Sequence, residues 1–230
     1  EDVEDVYTFI TKEGAKVALR PEGTASILRS YLEHNLGYFS LPLKVYYHGP
    51  VFRKEERQGE TYRQTHQWGF EVVGDADPVY DVHILLTAIH FLHALKLKNL
   101  ELEINTAGCR VCRSSYSHKL ETYYKVHVDA LCEECKGTLL KNPIKLLLCS
   151  KKECIAVREG APLILDFLCQ SCNTFLRSVL ELLEDNSVLY TLNPYLVRGE
   201  GYYNKTVFLI RGGLLKEALA SGGRYDYLGE

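Results

Sequence analysis

The sequence contains no methionine, not even at its first position, which is a glutamate. We therefore expect an internal piece of a longer protein. No apolar run approaches the roughly 18 residues that a membrane span needs. The acidic start, residues 1–5, has neither the basic segment nor the apolar run of a signal peptide. These absences predict a soluble protein of the cytoplasm.

An excess of basic charge is also missing, because 27 Lys and Arg residues face 30 Asp and Glu residues, for a net charge of −3. Any contact with nucleic acid must therefore be local. The hydrophobic fraction of 46% and the charged fraction of 25% are typical of globular proteins and exclude a disordered or fibrous chain. The length of 230 residues fits one large domain or two small ones.

Cysteine is absent outside one segment, which holds all eight cysteines as three Cys-x-x-Cys pairs and one Cys-x4-Cys pair. A Cys-x-x-Cys turn directs two thiolates at one tetrahedral ion, and two such turns complete a structural zinc site. Pairing in chain order predicts one site of Cys109, Cys112, Cys132 and Cys135 and a second of Cys149, Cys154, Cys169 and Cys172. The alternative is that some of these cysteines bind no metal and are buried as small apolar residues.

Periodicity predicts a mixed strand and helix texture up to residue 108. Two short strands are joined by a turn at Glu13-Gly14, and two longer strands flank a charged, mobile tip. The predicted strands are Val6–Ile10, Lys16–Arg20, Lys44–Arg53, Arg63–Val73 and Leu100–Ile104, and the predicted helices are Gly23–Leu36 and Pro78–Leu95.

The texture then changes to helices interrupted by cysteine turns, and strands return near Thr206–Ile210. We therefore divide the chain into 1–108, an inserted domain at 109–192, and a return to the first domain at 193–230. Within the insert, residues 136–158 hold six basic residues against one acid. Taken alone, a segment with this local charge of +5 is best interpreted as a lysine-rich face exposed to solvent.

The strand at 65–72 sorts its side chains by a period of two. Trp68, Phe70 and Val72 are predicted to face the core, whereas Gln67 and Glu71 face the other way. A glycine between these two, Gly69, leaves room for a ligand lying flat on the sheet. The alternative is an exposed sheet face without a ligand.

Arginines mark both ends of the loop between the long strands. Arg53 ends the first strand, Glu55 follows it, and Arg63 begins the second strand. A guanidinium offers fixed, bidentate donors that suit phosphate.

Four segments together resemble one known family. Residues 52–57, FRKEER, and 62–71, YRQTHQWGFE, resemble the second signature motif of class II aminoacyl-tRNA synthetases in its histidyl form. Residues 18–25, ALRPEGTA, are similar to that family's substrate-binding turn, and 196–203, LVRGEGYY, to its histidine-specific motif. Residues 222–226, GGRYD, resemble the glycine-rich strand that follows.

The resemblance implies an α+β fold. Its core would be the antiparallel sheet of a class II synthetase, flanked by helices, with a mainly helical, cysteine-rich inserted domain. It also implies a two-step reaction, in which histidine and ATP form histidyl-adenylate and the acyl group then passes to tRNA(His). Magnesium would accompany ATP, and the complete protein would form a homodimer in the cytoplasm.

The resemblance assigns roles to individual residues. Glu22, Thr24 and Gln67 would hold the histidine α-amino group, and Gly23 would belong to the same histidine-binding turn. Glu71 and Tyr203 would bracket the imidazole beside Tyr202. Arg53 and Arg198 would stabilise the reacting α-phosphate, and Glu55 and Arg63 would bind ATP with Arg53. The cysteine-rich insert occupies the place of the family's insertion, which contacts the tRNA acceptor arm.

The chain departs from the family pattern where Glu200-Gly201 replaces Leu-Asp and where Ser221 begins the glycine run. In this sequence we find neither the first nor the third signature motif of class II synthetases, and no anticodon-binding domain. Two alternatives stay open: a synthetase-like regulatory subunit of histidine biosynthesis that binds histidine without charging tRNA, and a zinc-ribbon interaction module.

Overall fold

The computed structural model describes residues 6–54, 62–198, 201–213 and 217–228. The chain divides into two compact units, 1–76 and 77–230. Both contain helices and antiparallel strand pairs, as the α+β prediction requires. No helix within the described ranges is long and apolar enough to cross a membrane.

The described part of the first unit contains two antiparallel hairpins, one α-helix and a short 3₁₀ helix, Leu36–Tyr38. Strands β1 (Thr8–Ile10) and β2 (Lys16–Ala18) form the short hairpin, which turns at Gly14 with a φ of 81°. Helix α1 (Thr24–Glu33) follows. Strands β3 (Leu43–Phe52) and β4 (Gln64–Val73) form the long hairpin, which pairs from Leu43 with Val73 to Phe52 with Gln64. These elements confirm the predicted order, whereas the predicted mobile tip lies outside the described residues.

The prediction about which side of β4 faces the core is wrong. The Trp68 side chain is 48% exposed and stacks on His48, whereas Glu71, on the opposite side, is only 7% exposed. The reason is that the turn before α1 covers the Glu71 side, where Thr24 contacts Glu71 and Arg53 contacts Pro21. Alternation along a strand separates two faces, but it does not say which face another segment covers.

The second unit contains a four-stranded sheet in the order β6-β5-β7-β8, in which only the β5–β6 pair is parallel. Its strands are β5 (Glu101–Thr106), β6 (Tyr190–Leu192), β7 (Asn204–Gly212) and β8 (Glu217–Arg224). Its helices are α2 (Val79–Ala94), α3 (Arg110–Val126), α4 (Glu133–Leu139), α5 (Lys152–Arg158) and α6 (Gln170–Asp185).

Two apolar clusters form inside the second unit. One lies at the sheet, where α2 packs through Leu85 and α6 through Val179 and Leu183. The other lies in the cysteine-rich region, around Leu120 and Leu147. Helix α6 carries Cys172 at its start and contributes to the sheet core farther along, so it belongs to both regions.

Candidate functional site

The turn at residues 20–25 is fixed to the long hairpin of the first unit. Arg20 donates from Nε to the carbonyl of Pro50 at 2.8 Å, and the Phe52 amide donates to the carbonyl of Arg20 at 2.9 Å. Arg53 donates from Nε to the carbonyl of Pro21 at 3.1 Å. The proline stops β2, and these bonds then hold the start of α1 against the hairpin.

Glu22 has a structural task that its sequence context did not reveal. Its carboxylate accepts hydrogen bonds from the amides of Thr24, at 2.5 Å, and Ala25, at 3.0 Å. These amides belong to the first turn of α1 and have no partner inside the helix. Gly23 precedes the helix and offers no side-chain cap, so Glu22 supplies the missing acceptors.

Thr24 and Glu71 meet on the covered side of β4. The Thr24 hydroxyl donates to Glu71 Oε1 at 2.7 Å, which fixes the position of a buried carboxylate. Four residues earlier on the same face lies Gln67, whose buried Oε1 has no hydrogen-bond partner among the described residues. A buried carboxylate and an unsatisfied amide oxygen on one face of a strand can both receive donors from a ligand.

Tyr47 is a site residue that sequence reasoning missed. A side-chain carbon added at Gly69 would lie 2.1 Å from the Tyr47 ring, and one added at Gly23 would lie 2.2 Å from it. The Tyr47 ring therefore fills the space above Gly69 that we assigned to a flat ligand, so that assignment is wrong. Burial, followed by the charge of Glu71, raises the pKa of Tyr47 to about 12, and its hydroxyl stays protonated as a potential donor. No sequence signal marked Tyr47, because its place opposite Gly69 follows from the register of the folded hairpin.

We expect Gly69→Ala to displace the Tyr47 ring and to destabilise the hairpin by about 1–3 kcal/mol, as overpacking does. The measurement is the free energy of unfolding in urea. Gly137→Ala is the matched control, because an added carbon there meets nothing within 4 Å. The control should be neutral or slightly stabilising. Equal stabilities of the two variants would contradict the packing of Tyr47 against Gly69.

The predicted phosphate-binding residues lie where the long hairpin ends. The Arg53 amide donates to the carbonyl of Arg63 at 3.0 Å. The two arginines are therefore paired directly beyond the last strand residues, Phe52 and Gln64. Arg53 is half-buried and Arg63 is exposed. Glu55 lies outside the described residues. The hairpin therefore brings Arg53 and Arg63 together at one end, and their binding of phosphate stays a prediction.

The remaining predicted residues lie in the second unit. The Tyr202 and Tyr203 rings have centroids 4.6 Å apart, and the Arg198 guanidinium lies 5.9 Å from the centroid of the Tyr203 ring. Arg198 and Tyr203 line a pocket together with Thr106 and Arg113. Of the departures from the family motif, Glu200 lies outside the described residues and Gly201 lies within them.

Arg113, in the first turns of α3, was also missed. Its Nη1 donates to the carbonyl of Gly201 at 2.9 Å and to that of Tyr203 at 3.4 Å. These bonds connect the cysteine-rich region to the backbone that carries the tyrosine pair. No sequence signal marked this arginine, because the contact joins segments 88 and 90 residues apart.

The glycine-rich strand, β8, carries Arg224, which forms a buried ion pair with Asp81. Arg224 donates from Nη2 to Asp81 Oδ1 at 2.6 Å and from Nη1 to Asp226 at 3.1 Å, and Thr206 donates to the other oxygen of Asp81. A side-chain carbon at Gly223 would lie 2.5 Å from the Thr206 carbonyl. Glycine there permits the close approach of β8 to β7 that this network needs.

The eight cysteines form two groups, but not the two that chain order predicts. The first cluster is Cys109, Cys112, Cys169 and Cys172, and the second cluster is Cys132, Cys135, Cys149 and Cys154. The predicted pairing is therefore wrong. The starts of α3 and α6 are in contact, although Cys112 and Cys169 are 57 positions apart in the sequence. The four cysteines of the second cluster all lie between these two helix starts in the sequence. Hydrogen bonds from nearby backbone lower the pKa of Cys109 and of Cys132 to about 7.

The basic segment, residues 136–158, has exposed lysines as well as basic residues with protein partners. Lys136 pairs with Glu133 at 2.8 Å, and Arg158 donates to the carbonyl of Leu147 at 2.9 Å. The other basic residues of the segment are exposed, namely Lys141, Lys145, Lys151 and Lys152. A surface of exposed lysines can contact phosphates without reading sequence.

Comparisons with known proteins agree with the motifs. The family model of histidyl-tRNA synthetase matches residues 1–113. The histidine–tRNA ligase of Desulforudis audaxviator is 42% identical over 226 residues, which cover 97% of this chain and 54% of that protein. The chain thus spans about half the length of the curated relatives it matches.

Solved structures give the same result. Apo histidyl-tRNA synthetase of S. aureus matches with a TM-score of 0.77 and 33% identity, over 97% of this chain and 54% of that one. A Bacillus halodurans C protein described as an ATP phosphoribosyltransferase regulatory subunit/histidyl-tRNA synthetase matches with a TM-score of 0.66 and 23% identity, over 97% of this chain and 62% of that one. The second likeness shows the fold alone. With the family model, the curated relatives and the ordered motifs in agreement, the chain belongs to the histidyl-tRNA synthetase family of class II aminoacyl-tRNA synthetases.

Proposed function

We propose that this chain carries the catalytic core of a histidine–tRNA ligase. The protein would use ATP to convert L-histidine to histidyl-adenylate and would then transfer the histidyl group to tRNA(His). Family membership supports this activity, and the order of the four motifs along this chain supports the assignment of the site. The location would be the cytoplasm, where such a ligase meets its tRNA.

The observation that carries the proposal is the polar arrangement around Glu71. Its buried carboxylate is held by Thr24, and Gln67, four residues earlier on the same face, has a buried oxygen without a partner among the described residues. Histidine offers two kinds of N–H donor, an ammonium and an imidazole, and this face of β4 offers the Glu71 carboxylate and the Gln67 amide oxygen as acceptors. A ligand without such donors would leave the buried oxygen of Gln67 unsatisfied, which is the physical basis of selection.

Within this proposal, Glu71 accepts from an imidazole N–H, and Thr24 and Gln67 accept from the α-ammonium. Glu22 has two oxygens engaged at the start of α1, so it contributes its negative charge and its remaining lone pairs. Tyr202 and Tyr203 keep the imidazole roles that the motif predicts for them. Residue 23 would have to be glycine, because any side chain at this position would overlap the Tyr47 ring.

The chemical step requires no nucleophile from the protein. A histidine carboxylate oxygen attacks the α-phosphorus of ATP, a new P–O bond forms, and the bond to pyrophosphate breaks. Negative charge develops on the α-phosphate oxygens, where fixed cations stabilise it. We assign this task to Arg53 and Arg198, and ATP binding to Arg53, Arg63 and Glu55. Magnesium bound to ATP would neutralise part of the triphosphate charge.

We further propose that the inserted region contacts the acceptor arm of the tRNA through its exposed lysines. Lys151 and Lys152 adjoin each other at the start of α5, and Lys141 and Lys145 precede them on the surface. Phosphate contacts of this kind make affinity strongly dependent on salt. Homodimer formation stays a prediction from the family.

Histidine-dependent exchange of pyrophosphate into ATP tests the proposal. We expect exchange with L-histidine and at most background exchange with L-glutamine, measured in the protein that carries this chain. Histidine binding without exchange would favour the regulatory-subunit alternative. Absence of both binding and exchange would favour the interaction-module alternative.

A further inference from the structure

We propose that the cysteine-rich region holds two structural zinc ions, one in the first cluster and one in the second cluster, each bound by four thiolates. This inference is independent of the histidine chemistry. It rests on the placement of the eight cysteines, all of which belong to one cluster or the other. Four sulfur ligands in tetrahedral geometry are the usual environment of structural zinc.

The sulfur positions suit a chelated ion rather than disulfides. Within each cluster the sulfur atoms all lie within 4.8 Å of one another. Sγ of Cys109 lies 3.5 Å from Sγ of Cys112, and Sγ of Cys132 lies 4.0 Å from Sγ of Cys149. A tetrahedral ion with metal–sulfur bonds of about 2.3 Å places its ligands about 3.8 Å apart. A disulfide would need about 2.05 Å, and all eight cysteines are free.

The local structure orients the thiolates in the same way at three Cys-x-x-Cys pairs. Cys109, Cys132 and Cys169 are the residues just before α3, α4 and α6, and the second cysteine of each pair lies in the first turn of its helix. This geometry brings both sulfurs of a pair to the same side. Neighbouring amides complete the arrangement, because Cys169 donates from its N–H to Cys112 Sγ at 3.1 Å and Cys132 donates to Cys154 Sγ at 3.3 Å.

The second cluster lies where the secondary structure is weakest. Helices α4 and α5 have only seven residues each, and the segment between them is a 3₁₀ helix, Pro143–Leu148. Helices this short are not stable alone in water. Cys135 and Cys154 are buried within the local apolar core, beside Leu139 and Leu147. An ion bound here would tie three short elements into one folded region.

The first cluster joins two long helices at their starts. Helix α6 packs on the sheet through Val179 and Leu183, whereas α3 carries Arg113, which holds the carbonyls of Gly201 and Tyr203. A metal ion at this junction would fix α3 relative to α6. We therefore infer that the first ion also sets the position of the Tyr203 backbone.

Metal analysis of the purified protein that carries this chain tests the proposal, and the expected result is two zinc ions bound by the eight cysteines of each chain. Cys172→Ser should remove the first ion alone and Cys135→Ser the second alone, so each variant should retain one. Val111→Ser is the matched control, since its side chain lies between two cysteines in the sequence but is 70% exposed. It should retain both ions.

A second measurement protects the test against variants that fail to fold. Stepwise modification of the wild-type thiols, followed with a colorimetric zinc indicator, should release two equivalents of zinc. Less than about half an equivalent in the purified chain, iron in place of zinc, or disulfides in mass spectra of the unreduced protein would each overturn the proposal. Loss of both ions from both cysteine variants would overturn the division into two separate sites.

Discussion

Arg198→Ala should lower the maximal rate of histidine-dependent pyrophosphate exchange by about 100- to 1000-fold, while KM for histidine changes by less than about threefold. The magnitude is that of removing one fixed donor from a developing oxyanion. The split between rate and KM follows because the charge that Arg198 stabilises forms only in the transition state. The assay is exchange under saturating ATP, with histidine varied.

Arg177→Ala provides the control for this experiment. Arg177 lies exposed on α6, so its loss removes the same charge from the protein without touching the pocket. Arg198→Lys should recover only part of the rate, because an ammonium keeps the charge but loses the planar fork. An unchanged exchange rate in Arg198→Ala would remove this residue from the catalytic role.

Glu71→Gln should raise KM for histidine by about 30- to 1000-fold, which corresponds to about 2–4 kcal/mol for losing a buried, charged acceptor. Glutamine has nearly the same shape, and its amide oxygen can still accept from Thr24. What it loses is the negative charge and one acceptor atom toward the ligand. The measurement is again pyrophosphate exchange, with histidine varied over a wide range.

Glu181→Gln, at an exposed position of α6, is the control for the loss of one negative charge. It should leave KM within about twofold. The urea midpoint of Glu71→Gln should be recorded as well, since the hydrogen bond with Thr24 also holds α1 to β4. A normal KM for histidine in Glu71→Gln would contradict the assignment of this carboxylate to the imidazole.

Much of the fold of the first unit could be predicted because its signals are local. Pro21 stops β2, Gly14 permits the turn before it, and the alternation along 64–73 sets the hairpin strand. The site motifs were equally visible, since each occupies a few adjacent residues. The structure brings Thr24 and Glu71 into contact, as expected for two residues of one binding surface.

The errors and omissions concern contacts between distant segments. Tyr47 fills the space above Gly69 because β3 pairs with β4 in one register, and the sequence does not state that register. The covered side of β4 depends on where the turn at 20–25 lies, and the cysteine grouping depends on how α3 meets α6. In each case tertiary structure decides among arrangements that local spacing allows equally.

Isothermal titration of the 230-residue chain with L-histidine is the most direct test of the central claim, that this chain forms a histidine site. The account predicts saturable binding of L-histidine and no detectable binding of L-glutamine at the same concentrations. Glu71→Gln should weaken the binding and Glu181→Gln should not. Absence of histidine binding, or equal binding of the two amino acids, would contradict the account.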